Sequence, residues 1–136
     1  MNMTTDKTQA RVPVTLLQVH GNVDGSNYRE MIDRAHELYQ AGARHLLIDL
    51  ADTPYMSSAG LVALHSIALL YLGSQPPDLE DGWRAIRATS EAGGGGAQPY
   101  VKLLNLQPKV TNVLEQTGLL AFFETYTDQA AAVASF

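Results

Sequence analysis

The chain has 136 residues, 46% of them hydrophobic and 17% charged, with a formal net charge of −5. That is enough chain for one domain with a single core, and too apolar for a disordered segment. An acidic balance without a Lys/Arg cluster argues against nucleic acid and anionic membrane surfaces, and the absence of cysteine excludes a disulfide framework, a thiol nucleophile and a cysteine-held zinc.

Residues 1–10 are polar and are expected to fray. They carry no apolar segment of signal-peptide type, and the longest apolar stretch, 59–73, is too short to cross a bilayer. A cytoplasmic protein without direct membrane insertion is the expectation. Residues 12–19, rich in Val and Leu, read as a strand entered through Pro13. A turn-forming loop follows, from His20 through Asp24 to Asn27. Asn27 and Glu30 have the spacing of a capping box. Tyr28, Met31, Ile32, Ala35, Leu38 and Tyr39 then form one apolar helical stripe, and Gly42 is placed to end that helix.

Residues 44–50 form a continuous apolar run, as a buried strand does. The loop Asp52-Thr53-Pro54 leads into Tyr55-Met56-Ser57-Ser58-Ala59-Gly60-Leu61, and a helix runs on to Leu72. Leu61, Val62, Leu64, Ile67, Leu70 and Tyr71 place apolar groups on nearly every side of it, so some apolar surface is expected to stay exposed. Ser57 and Ser58 therefore stand where a strand has ended and a helix begins. N–H groups point outward there, and the helix dipole favours negative charge. The plainer reading is that one of them is only an N-cap.

From Gly73 to Pro99 the pattern breaks, with Pro76-Pro77 and the run Gly93 to Gly96. The expectation is a flexible insertion at about 74–98 in a single domain spanning 11–136. Residues 100–106 read as a strand. Pro108, Val110, Val113 and Leu114 read as a helix closed by Gly118. Residues 119–126 read as a last short strand, and Thr127 or Asp128 caps a final helix. Strands alternating with helices imply an α/β fold, a four- to five-stranded mostly parallel sheet with about four helices.

Enzyme chemistry finds little support. A serine hydrolase elbow needs a glycine two residues before the nucleophile, and Met56 stands there for Ser58. His65 lies about two turns along the same helix, a poor position for a base. His20, His36 and His45 are scattered. Asp24, Asp49 and Asp52 are weak candidates for a magnesium site. No catalytic residue, cofactor or metal is expected.

Three segments resemble the STAS domain family in order: Leu17 to Asp24, Asp49 to Leu61, and Val113 to Leu119 with Phe122-Phe123. The middle one is similar to that family's Asp-Leu…Asp-Ser-Ser-Gly-Leu signature. The resemblance implies an anti-sigma factor antagonist that acts by partner switching. Such a protein binds a kinase-type anti-sigma factor until a motif serine is phosphorylated, and a cognate phosphatase resets it. Ser58 falls on the phosphorylated position, with Ser57, which replaces the family's usual Asp, as the alternative acceptor. Asp24, Ser57, Ser58, Ala59, Gly60 and Leu61 are the implied partner-binding residues. The alternative function is a scaffold, or an accessory subunit of a signalling or lipid-transport complex, without a phosphorylation cycle.

Overall fold

A computed structural model of the chain describes residues 1–73 and 97–136. The expected insertion at 74–98 lies almost wholly outside the described residues. Gln98, at its end, is buried and tied into the fold. Its Oε1 accepts from Tyr100 N and Val101 N at 3.0 and 2.9 Å, and its own N–H donates to Phe122 O at 3.1 Å.

Five strands form one sheet in the order β1-β2-β3-β4-β5: β1 (Asn2–Gln9), β2 (Pro13–His20), β3 (Leu46–Asp52), β4 (Val101–Leu104) and β5 (Thr125–Tyr126). The first pair is antiparallel and the other three are parallel. Among the described residues the α-helices are α1 (Tyr28–Gln40), α2 (Ser58–Tyr71), α3 (Pro108–Thr117) and α4 (Gln129–Ala134). The mostly parallel α/β architecture agrees with the sequence reading.

β1 corrects the expectation of a frayed start. Asn2 pairs with His20 and Gln9 with Pro13, so the whole strand is registered on β2. An edge strand needs little burial. Thr4, Thr5 and Thr8 supply β-branched side chains, and Lys7 places a charge on the open edge.

Alternation along the strands splits the core in two. Leu17, Val19, Leu46, Ile48, Leu50, Val101 and Leu103 face one side, packed with Met31 and Ala35 of α1, the length of α2, and Val110 and Leu114 of α3. Val14, Leu16, Leu47 and Leu104 face the other side, under Ala132 and Val133 of α4. With both faces covered, β3 reads as an unbroken apolar run.

The apolar stripe expected of α1 is the one it turns inward. Asn27, however, builds no capping box. Its Oδ1 accepts from Asp24 N at 2.9 Å and its Nδ2 donates to Asn22 O at 2.9 Å, so the side chain is committed to the loop before it. The exposed apolar surface expected on α2 is also absent from its middle: every residue from Gly60 to Ala68 is buried. α1 closes one flank, where Tyr71 Oη donates to Ala35 O at 3.0 Å and the Tyr39 and Tyr71 rings meet edge to face. On another flank the His65 ring lies 5.7 Å from that of Phe122. Residues 119–126 are not one strand. Leu119–Phe122 is a 3-10 turn begun by Gly118 at φ 77°, and only Thr125–Tyr126 is extended. Asp128 caps α4 by accepting from Ala131 N.

Candidate functional site

Two loops leave neighbouring parallel strands and stay paired beyond them. Gly21 N donates to Asp52 O at 2.8 Å, Val23 N to Tyr55 O at 3.2 Å, and Ser57 N to Val23 O at 2.9 Å. Val23 and Met56 make an isolated parallel bridge. Thr53, fully buried, donates its hydroxyl to Val19 O at 3.0 Å. Gly21 takes φ 109°, which a side chain would strain. These bonds carry the chain from the end of β3 to the start of α2 with little freedom, so the orientation of the serines is fixed by backbone.

Ser57 is the N-cap of α2 by position, with φ −82° and ψ 178°, but its side chain makes no capping hydrogen bond. The side-chain cap expected of one of the two serines is therefore not made by Ser57. Its own N–H is spent on Val23 O, and its carbonyl accepts the first helical bond, from Leu61 N at 3.2 Å. Ser58 opens the helix and is exposed, whereas Ser57 is half-buried. First-turn N–H groups have no acceptor within their own helix, and the first turn of α2 holds no acidic residue.

Gly60 is required by the packing beneath. A Cβ there would overlap Met56 Cγ and come within 3.1 Å of Met56 Sδ and 3.2 Å of Val23 Cγ1. Both neighbours are fully buried. Gly60 and Leu61 are buried as well, so of the six residues implied for partner contact these two support the surface from below. Ala59 is half-buried. Tyr55, 46% exposed, and Pro54, exposed, stand beside the serines. Neither was singled out from the sequence. An aromatic directly after a proline in a loop was the available signal.

Asp24 is half-buried in the partner loop. Its Oδ1 accepts from Ser26 Oγ at 2.5 Å and Ser26 N at 2.8 Å, and those two bonds, the hydroxyl's first, hold its carboxyl below the usual carboxylate range. Its carbonyl accepts from Tyr28 N at 3.0 Å, at the start of α1. Asp24 thus also shapes its own loop. The other two acids join separate networks. Asp49 accepts from Ala51 N at 3.0 Å, with Gln18 and Asn105 amides each at 3.4 Å. Asp52 pairs with His20 at 2.7 Å in an exposed contact. Among the described residues, no group of three His, Asp or Glu side chains is arranged to hold a metal ion. The remaining histidines do not approach the serines as a base would. His36 is exposed on α1, and His45 packs against Tyr100 and Phe136. His65 is buried, and that burial pushes its pKa down.

Comparison with known proteins bears on the fold that carries these loops. Residues 6–72 match the family model described as the STAS domain. No curated protein sequence matches the chain. Among solved structures, an anti-sigma factor antagonist from Mycobacterium paratuberculosis aligns with a TM-score of 0.64 at 16% identity, over 98% of this chain and 93% of that one. A Thermotoga maritima protein described as a candidate anti-sigma factor antagonist aligns at 0.63 and 16% identity, over 94% and 90%. The Bacillus cell fate determinant SpoIIAA in its phosphorylated form aligns at 0.50 and 15% identity, over 94% and 96%. At these identities the likeness is one of fold. No described helix is long and apolar enough to cross a membrane. With the family model covering both paired loops, the serine turn and all of α2, residues 6–72 belong to the STAS domain family.

Proposed function

We propose that this protein is an anti-sigma factor antagonist that works by partner switching, with Ser58 as the residue phosphorylated by a kinase-type anti-sigma factor. One observation carries the reading: Ser58 is an exposed hydroxyl in the first turn of a helix whose following residues are enclosed. The unmodified serine, with Tyr55, Pro54 and Ala59, is a small neutral surface. Phosphorylation adds about −1.5 to −2 charges. Within its own chain that charge meets helix N–H groups and the positive end of the dipole, so the fold tolerates it. A partner that had buried the neutral hydroxyl does not, because an unpaired buried charge costs several kcal/mol. No Lys or Arg occurs in either paired loop to hold the phosphate against the chain. The modification therefore changes binding and leaves the structure alone. A phosphatase resets the cycle. The phosphorylated form named for the SpoIIAA structure supports this reading by analogy of fold.

The test is incubation with ATP and the cognate kinase-type anti-sigma factor, followed by mass-spectrometric mapping. The expected result is one phosphate on Ser58, retained in Ser57→Ala and lost in Ser58→Ala. Phosphorylation and Ser58→Asp should each weaken partner binding about 100-fold or more, roughly 3 kcal/mol at 1.4 kcal/mol per tenfold. A phosphate on Ser57 alone would move the switch by one residue. Tight binding without any phosphate transfer would favour the scaffold function.

A further inference from the structure

A cavity of about 390 Å³ opens at the other end of the sheet, away from the serines. Its walls are the β1–β2 turn (Lys7, Val12, Pro13, Val14), the last turn of α1 with the residues after it, and the entry to β3 at Arg44 and His45. The volume lies within the roughly 300–1,000 Å³ of small-molecule sites. On the α1 side the wall is aliphatic, formed by Leu38 and Ala43, with Val12 and Pro13 of the β1–β2 turn beside them.

The polar groups on it are one-sided. The chain carries 14 Asp and Glu against 9 Lys and Arg, yet the charged side chains of this lining are Lys7 and Arg44, with no acid. Lys7 pairs with Thr15 in the β1–β2 register, so both side chains stand on the face that α1 covers. Among the described residues the Lys7 ammonium has no ion-pair or hydrogen-bond partner. Its neighbour Asp6 accepts only from the Lys7 backbone. Arg44 is fixed through one nitrogen alone, Nη1, which donates to Tyr39 O at 2.8 Å and Ala43 O at 2.7 Å, while its guanidinium lies 3.8 Å from the Tyr39 ring centroid. Its Nε and Nη2 have no hydrogen-bond partner among the described residues. The bond to Tyr39 O occupies a carbonyl at the end of α1, as do Gly42 N to Tyr39 O and Ala43 N to Leu38 O, both at 3.0 Å. The negative end of the helix is thereby muted where an anion would come near it.

We propose that this cavity binds a small carboxylate with an aliphatic body, its chain against Leu38 and Ala43 and its headgroup between Lys7 and Arg44. The site is distinct from the serine edge. α1 separates the two, with Tyr28 next to the Asp24 loop at one end and Leu38 in the cavity wall at the other, so ligand and protein partner do not compete for surface.

Sodium octanoate, with 1-octanol and octylammonium as matched probes, tests this by amide chemical shifts of the full chain. Octanoate should give saturable shifts confined to residues 7–8, 12–15 and 38–45, and should bind roughly tenfold or more tighter than octanol. Octylammonium should bind weakest. Lys7→Gln should lower octanoate affinity toward that of octanol. Leu38→Trp, which fills the cavity, should abolish binding of both in a protein whose spectrum remains dispersed. Lys7→Gln is exposed and keeps the test valid if Leu38→Trp fails to fold. Shifts scattered over the surface, no saturation below about 10 mM octanoate, or equal affinity for octanol and octanoate would each overturn the proposal.

Discussion

Helices α1 and α2 lie side by side on one face of the sheet, yet they meet water in opposite ways. α1 turns a single stripe inward and buries only Met31 and Ala35 completely. α2 buries every residue from Gly60 to Ala68. The difference follows from position. α1 covers the β2 side of the sheet and keeps a polar outer face of Arg29, Glu30, Asp33 and Glu37, while α2 lies inside the larger core. A partner can therefore read α1 along its length, but it must read α2 end-on, at the turn that holds Ser57 and Ser58.

This contrast can be broken by substitution. Leu64→Ala in α2 should cost about 2–5 kcal/mol, whereas Asp33→Ala on α1 should stay within about 0.5 kcal/mol of wild type. Urea unfolding measures both. Comparable losses at the two positions would mean that α2 is not enclosed in solution. Next in size is Gly60→Ala, which forces Met56 and Val23 aside in a filled space and should cost about 1–3 kcal/mol. A neutral result would show that the Met56 side chain simply swings away.

The pH dependence sharpens the same point. His65, in the middle of α2, has its pKa lowered by burial. Its neutral form therefore stabilises the fold fully above the unfolded histidine value of about 6.5, and that contribution is lost as pH falls from there through the folded value. His45 adds a term of the same sign, through burial first and the charge of Lys102 second. The melting temperature should fall on going from pH 7.5 to pH 5, and the slope should be shallower in His65→Gln. An unchanged slope would take His65 out of the account. The smallest effect is expected at Ser57→Ala. With no side-chain cap to lose, it should change stability by less than about 0.5 kcal/mol, where a true cap costs about 0.5–2. A loss above 1 kcal/mol would show that the Ser57 hydroxyl caps α2 in solution.

Periodicity made α1 readable, and the lack of any period made α2 readable. β3 was visible because both faces of the sheet are covered, so it had no polar alternation to hide it. What the sequence did not disclose is mostly polar. β1 has almost no apolar signal because its stability comes from backbone pairing to β2, a long-range fact. Asn27 has the residue type and spacing of a cap, but its amide found acceptors and donors in its own loop first. Ser57 likewise has the right type, but its lone role is through the backbone. The exposure of Tyr55 and the burial of Gly60 and Leu61 depend on how the two loops pair, which no local pattern encodes. Lys102, a break in an apolar strand, is buried against Ser135 and reaches Glu124 at 3.0 Å, a use visible only once α4 is in place.

The strand order runs from β1 to β5 without doubling back. In open parallel sheets, ligands settle in the cleft that forms where neighbouring connections diverge to opposite sides, and that requires a reversal of order. This sheet has none, so its serine rim stands as a knuckle between same-sided connections. In the complex proposed here, the concave surface has to come from the partner. A kinase active site is such a surface, and it would close over Ser58 far more completely than Ser58 could close over anything.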